Sequence, residues 1–152
     1  MKSEVAIEPA AEGDLTGVLA LLARHHLPQD GVREHLDATM VARRGTEIVG
    51  SAAIEIYEDG ALLRSVAVMP ELQGQGLGRK LAEAAIQLAR DRRAASIYLL
   101  TTTAERYFPK LGFESIERAA VPTGVQASVE FRSACPSTAI VMRKLIEAER
   151  PI

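Results

Sequence analysis

The fold class this sequence predicts is α/β, with one mixed sheet and flanking helices. Three observations point there. Apolar strand-like runs alternate with amphipathic runs at helical spacing. Asp59-Gly60 sits between "TEIVGSAAIEIY" and "ALLRSVAVM", a strong short-range hairpin signal. A glycine-punctuated passage, Gln73-Gly74-Gln75-Gly76-Leu77-Gly78, then leads from strand into helix.

In chain order, "VAIEP" reads as a strand, and Asp14 as the cap of a helix whose Leu15, Val18, Leu19 and Leu22 share one face. Pro28 closes that region, and Asp30 caps a shorter helix around Val32 to Asp37. With Asp59 and Gly60 as the two loop residues, Glu58 pairs with Ala61 and Glu55 falls directly opposite Arg64. After the glycines, Leu77, Leu81, Ala84, Ala85 and Leu88 recur at helical spacing through Arg90. "SIYLLTTT" is apolar enough to be a central strand. Thr102 and Glu105 have capping-box spacing, and Gly112 ends the short helix they open. "FESIER" and "TAIVMRKL" read as strands, joined by an irregular stretch from Ala119 to Ser137. The order expected for the chain is β-α-α-β-β-β-α-β-α-β-(loop)-β, one strand more than the six runs named. With no repeat, low-complexity tract or linker, one domain is expected over residues 1–152.

Composition narrows the function classes. A formal net charge of −2 without a long basic run argues against nucleic-acid binding. Cys135 is the only cysteine, which excludes an intrachain disulfide and a multi-cysteine metal site. "MKSEVAIEPA" lacks the apolar core of a signal peptide, and no apolar stretch is long enough to span a bilayer. A cytoplasmic protein with no membrane partner and no metal is the expectation.

The glycines do not fit two familiar phosphate motifs. A dinucleotide fingerprint needs a third glycine where Arg79 stands, and the Gly-Lys-Ser/Thr of a nucleotide P-loop is absent. What remains is a tight loop entering a helix. Without Cβ atoms such a loop can turn successive N–H groups toward one point, beside the positive end of the helix dipole. A pyrophosphate suits that arrangement; on the glycines alone, so does a plain strand-to-helix turn.

The flanks resolve this. "VAVMPELQGQGLGRKL" resembles the acyl-CoA-binding segment of the GNAT N-acetyltransferases, where Gln/Arg-x-x-Gly-x-Gly/Ala follows a Val-x-Val-x-Pro strand end. "AIEPAAEGDL" is similar to that superfamily's opening strand and helix, and "AERYFPKLGF" to its late helix and Gly-Phe strand start. The resemblance implies a mostly antiparallel central sheet, splayed between its two central strands, with helices on both faces. It implies acetyl-CoA as cosubstrate, its pyrophosphate held by the amides of Gln73, Gly74, Gln75, Gly76, Leu77, Gly78 and Arg79. The strand edge at Val66 to Val68 would pair with the pantetheine, and Ala104 and Phe108 would line the same site. A solvated helix-start arginine is the alternative for Arg79.

The chemistry is attack of an amine on the thioester carbonyl in a ternary complex. It requires a deprotonated amine, a donor for the oxyanion and alignment of the reactants. The resemblance implies the backbone N–H near Val68 as that donor. Many superfamily members carry a tyrosine on the late helix to protonate the thiolate; here Phe108 occupies the position. Its neighbour Tyr107 diverges by about 100° on a helix and is not expected to substitute without a shift. The general acid is therefore unassigned. Glu55 is the candidate base or substrate anchor, and an arginine opposite would lower its pKa and favour the anchor role. An ordinary cross-strand salt bridge is the competing reading. His25 and His26 suit a solvated helix end, His35 a structural or exposed place, and Cys135 an inert packed one.

"YLLTTTAERYFPKLGF" and "VEFRSACPSTAIVMRKL" resemble the small N-acetyltransferases associated with arsenic resistance and, more loosely, the acetyltransferase domain of N-acetylglutamate synthases. The synthases carry a basic Arg-Arg-Ser-Lys stretch where this chain has Cys135-Pro136-Ser137-Thr138, which puts free glutamate in doubt. The resemblance implies a small amino-acid-like acceptor, a glutamate analogue or an organoarsenical, contacted by Arg64, Thr102 and Arg132. Glutamate itself, a protein N-terminal amine, or a non-catalytic CoA-binding module are the alternatives. A homodimer is compatible with the sequence but not specified by it.

Overall fold

A computed structural model describes residues 5–102, 104, 106–128, 131 and 139–146. Seven strands form one sheet in the order β1-β2-β3-β4-β5-β7-β6. They are β1 (Val5–Pro9), β2 (Thr39–Arg44), β3 (Glu47–Tyr57), β4 (Gly60–Val68), β5 (Ser96–Thr101), β6 (Glu114–Ser115) and β7 (Ile140–Leu145). Every neighbouring pair is antiparallel except β4 and β5, which are parallel. The helices are α1 (Leu15–Arg24), α2 (Leu77–Asp91) and α3 (Thr123–Gln126), with 3₁₀ segments at Arg33–Ala38 and Phe108–Leu111 among the connections.

Helices cover both sheet faces, and a bulge in β3 shows how. Arg43 pairs with Ile48 and Ala42 with Gly50, so Ile48 and Gly50 lie on opposite faces. A Cβ on Gly17 of α1 would meet Ile48, and one on Gly50 would meet Leu81 of α2. The main core fills both interfaces with residues such as Val18, Leu22, Ile54, Leu63, Leu81, Ala85 and Leu99. Six residues (Leu62, Tyr98, Val121, Val125, Phe131 and Val141) form a smaller cluster in which Val121, Val125 and Phe131 meet side chains of β4, β5 and β7.

Several expected details are corrected. The hairpin loop is Glu58-Asp59, and Gly60 already pairs with Tyr57 as the first residue of β4. Glu55 therefore lies opposite Leu62, and Arg64 opposite Ala53. Distant contacts set that register: Asp59 accepts the Gly124 amide at 2.8 Å, and Gly60 lets Tyr98 and Val125 close onto the turn. Because the shift is even, Glu55 and Arg64 still share a face, as diagonal neighbours.

Asp14 makes no side-chain cap on α1. Its carboxylate accepts both Arg43 Nη groups, at 2.9 and 2.7 Å, and the Ala11 amide at 2.8 Å. The buried stripe of α1 is Leu15, Val18, Leu21 and Leu22, with Leu19 at its edge; in α2 it runs Leu81, Ala82, Ala85, Ile86 and Ala89. Thr101 Oγ1 accepts the Ala104 amide at 2.9 Å, and the expected capping box of Thr102 with Glu105 lies outside the described residues through Glu105. The chain then enters the 3₁₀ segment Phe108–Leu111, ended by Gly112 at φ 95°.

Candidate active site

The parallel pair β4–β5 makes registered contacts only at Ala61–Ile97 and Leu62–Tyr98. Beyond them the strands part, and a cleft of about 970 Å³ opens between Leu63–Val68 and Leu99–Thr102. A bulge in β4 widens the gap. Ala53 pairs with Arg64 but Ser51 with Ala67, leaving Ser65 and Val66 against one residue of β3. Ser65 takes φ 60°, and its carbonyl accepts the Ser51 hydroxyl at 2.6 Å.

The ladder fixes which way the backbone beyond the bulge points. Met69 donates to the Val49 carbonyl at 2.8 Å, so Val49 and Met69 are a hydrogen-bonded pair. Gly50 and Val68 are then a non-hydrogen-bonded pair, and the Val68 amide and carbonyl face away from β3, across the opening toward β5. The Val68 carbonyl is taken by Gln73 Nε2 at 2.9 Å, which ties the glycine loop to the strand end.

Gly74 and Gly76 stand at φ 79° and 83°, in the left-handed region where a Cβ is unfavourable. Neither has an atom near its missing Cβ, so conformation rather than space calls for glycine. Gly78 differs. A Cβ there would approach the Tyr107 hydroxyl at 3.4 Å and Val68 Cγ2 at 3.5 Å, on the wall of the cleft. Lys80 donates to Gly76 at 3.1 Å, and as at any helix start the amides before it in α2 have no helical acceptor. The loop thus brings helix-start amides to the cleft beside Val68, a fit for a pyrophosphate.

Most expected residues meet here. Val66, Val68, Gln73, Gly74, Gly76, Gly78, Arg79, Ala104 and Phe108 line the cleft, as do Arg64 and Thr102. The side chains of Gln75 and Leu77 are not part of the lining: Gln75 reaches back to the Glu71 carbonyl at 3.4 Å, and Leu77 packs partly against the core. Arg79 pairs with Glu83 at 2.8 Å and is largely exposed at the rim. Glu55 lies behind Arg64, whose Nη1 donates to Glu55 Oε2 at 2.8 Å. Both are almost fully buried, at 2% and 3% exposure. Arg132 and Cys135 lie outside the described residues.

The fold also brings in residues that sequence patterns did not place. His26, Pro28 and Lys110 line the cleft. Tyr107 also reaches the cleft, because the late segment turns as a 3₁₀ helix with Tyr107 as its cap. Its ring packs edge-on against Phe108 at a centroid distance of 5.3 Å. Burial pushes the Tyr107 hydroxyl above its ordinary pKa, with Arg79 opposing and Glu83 reinforcing the shift. It is protonated at neutral pH.

Comparison with known proteins agrees with this geometry. The family model described as Acetyltransferase (GNAT) family matches residues 10–113. An uncharacterized N-acetyltransferase of Chlorobaculum tepidum is 28% identical over 116 residues, covering 74% of each chain. An amino-acid acetyltransferase of Mycobacterium tuberculosis is 33% identical over 72 residues, 47% of this chain and 41% of that protein. Among solved structures, N-acetylglutamate synthase from Neisseria gonorrhoeae, complexed with coenzyme A and N-acetyl-glutamate, superposes with a TM-score of 0.80 at 19% identity. The match covers 99% of this chain but 36% of that one, so this chain spans about a third of the synthase.

Proposed function

The chain belongs to the GNAT acetyltransferase family and is an acyl-CoA-dependent N-acetyltransferase; on that premise we propose that its acceptor is the primary amine of a small, carboxylate-bearing, amino-acid-like molecule. The observation that carries the acceptor is Arg64, a buried guanidinium in the cleft wall on the same strand as the outward-facing Val68 amide. A guanidinium there offers a carboxylate planar, charge-assisted recognition next to the reaction centre.

Acetyl-CoA supplies the acetyl group as a thioester, with a thiolate as leaving group. The glycine loop and the first amides of α2 hold its pyrophosphate, and the edge at Val66 to Val68 receives the pantetheine as an added strand. The Val68 N–H is directed into the opening, where it donates to the carbonyl oxygen as that atom gains charge. Arg64 holds the acceptor carboxylate, and Thr102, on the facing wall, offers a hydroxyl. Glu55 acts as the counter-ion that fixes Arg64 rather than as proton acceptor, since its Oε2 is occupied by the guanidinium. The glutamate-analogue and organoarsenical classes implied by the sequence both present an acidic group of this kind.

A free-thiol assay over an amine panel tests the reading. Amino acids and glutamate analogues should release CoA-SH at far lower concentrations than their descarboxy amines, their carboxamides or peptides. Turnover with peptides alone overturns the acceptor class. Stabilisation by acetyl-CoA with no turnover on any amine would leave a binding module.

A further inference from the structure

The mechanism uses the cleft side of Arg64 and leaves a second tier of polar groups behind it without a role. Glu55 gives its two oxygens to different partners. Oε2 takes Arg64 Nη1, while Oε1 accepts the Tyr57 hydroxyl and has His35 Nε2 at 3.7 Å. Tyr57 follows Glu55 by two residues on β3 and so shares its face. The His35 ring stands 6.5 Å from the Tyr57 ring, centroid to centroid, and remains 30% exposed. From the other flank, Arg64 Nη2 donates to the Pro28 carbonyl at 3.0 Å and Nε to Ser65 Oγ at 3.2 Å. The backbone of Gly31 closes over the pair: a Cβ there would stand 3.1 Å from Arg64 Nη1.

We propose that His35 and Tyr57 are positioning residues that set the plane of the Arg64 guanidinium, and through it the preference for carboxylate-bearing acceptors. This rests on Arg64 being the carboxylate anchor of the proposed function. A carboxylate turns about its last bond, and a buried ion pair holds its geometry only when the remaining lone pairs are engaged. The Tyr57 hydroxyl engages Oε1 from the same strand, and the His35 ring stands beside that oxygen on the solvent side. With Oε1 fixed, Oε2 meets Nη1 from one direction only. Planar recognition of an acceptor carboxylate tolerates about 10–20° of misorientation, so loosening the far side of Glu55 is felt on the cleft side of Arg64. A merely structural cluster would give no reason for the effect to depend on the acceptor's charge.

The test is steady-state kinetics with two acceptors that differ only in charge: a glutamate analogue turned over by the wild-type enzyme, and its α-carboxamide. Variants are Tyr57→Phe, His35→Ala and His35→Gln, with Arg64→Ala as reference. Tyr57→Phe removes only a hydroxyl and His35 is partly exposed, so both leave the core in place. We expect KM for the carboxylate to rise about tenfold in Tyr57→Phe and His35→Ala. KM for the carboxamide and for acetyl-CoA should move less than twofold, and His35→Gln should recover part of the loss. An equal rise for both acceptors, or no rise for either, overturns the positioning role. If Arg64→Ala itself leaves the carboxylate-to-carboxamide ratio unchanged, the reading of Arg64 fails. If it lowers the ratio and the other variants do not, only the roles of His35 and Tyr57 fall.

Discussion

Two glycines of one loop separate strain from space. Gly76, at φ 83°, has open room for a Cβ but the wrong backbone for one. Gly78, without a positive φ, has a suitable backbone but a Cβ that would enter the cleft between Tyr107 and Val68. Gly78→Ala should therefore melt within about a degree of the wild type while its acetyl-CoA Kd rises tenfold or more. Gly76→Ala should lose stability, by about 1 kcal/mol for the left-handed backbone, and affinity together. Calorimetric titration beside thermal melts checks both, and a Gly78→Ala protein that binds normally would remove that wall from the cosubstrate site. Glu55 lends itself to a similar argument. Glu55→Gln keeps one acceptor oxygen for Arg64 and offers its NH2 to the Tyr57 hydroxyl, so the hydrogen bonds can be kept while the negative charge beside the guanidinium is lost. With the Glu55 charge removed from beside the buried Arg64 guanidinium, we expect urea unfolding to show a loss of about 3 kcal/mol. The sequence disclosed that these two side chains share a face, but not their register. The turn is set by Asp59 on the Gly124 amide and by Tyr98 and Val125 against Gly60, contacts that local turn preferences do not contain.

At the scale of elements, the first helix is fastened by charge rather than by a cap. Arg43 of β2 donates to Asp14 at the start of α1 and, through Nε, to Glu8 of β1 at 2.6 Å, joining three elements at one guanidinium. The hydrogen bonds from Arg43, the largest cause, and from the Ala11 amide hold the Asp14 carboxyl below the usual carboxylate range. A depressed folded pKa means that the unfolded chain takes up the proton first as pH falls. The stabilisation is therefore present above the unfolded value of about 3.9 and is lost as pH drops through the folded one. Asp14→Asn should lower Tm by a few degrees at pH 7, and the gap to wild type should begin to narrow below about pH 4. A gap that does not narrow at all as pH falls below 4 would assign the effect to packing. The capping expectation failed because an aspartate before an apolar helix has the same signature whether it caps or pairs; Arg43 lies 29 residues away. By contrast α2, with a long apolar stripe and a glycine entry, was legible from Leu77 onward, since its period and its start agree. Cleft residues such as His26 and Pro28 carried no local signal, because the connector after α1 reaches the site only through the tertiary fold.

Taken as a whole, the molecule is a sheet left open between β4 and β5. Two registered pairs hold these strands together before they part. Most of the order of elements could be read from the sequence because each alternation of period is local, although no run pointed to β2 at Thr39–Arg44 or to α3 at Thr123–Gln126. The opening was to be expected only from the family resemblance, since physically it follows from the Ser65 bulge and from the way β5 crosses beside β4. Such a sheet has a thermodynamic consequence. If pantetheine bonds the edge at Val66 to Val68 while the glycine loop holds the pyrophosphate, one ligand spans groups from β4 and α2 that protein contacts alone leave apart. Acetyl-CoA binds only the folded state, so at a hundred times its Kd it adds about 2.7 kcal/mol to stability. For a domain of this size that is a rise in Tm of about 5–10 °C. Inorganic pyrophosphate, which can occupy the loop but not the strand edge, should give well under half that shift at the same concentration. The Gly78→Ala protein, with its Kd raised tenfold, should lose about half of the acetyl-CoA shift at that fixed concentration. Equal shifts from pyrophosphate and acetyl-CoA would mean that the open strand edge takes no part in binding, and the oxyanion role of the Val68 amide would fall with it.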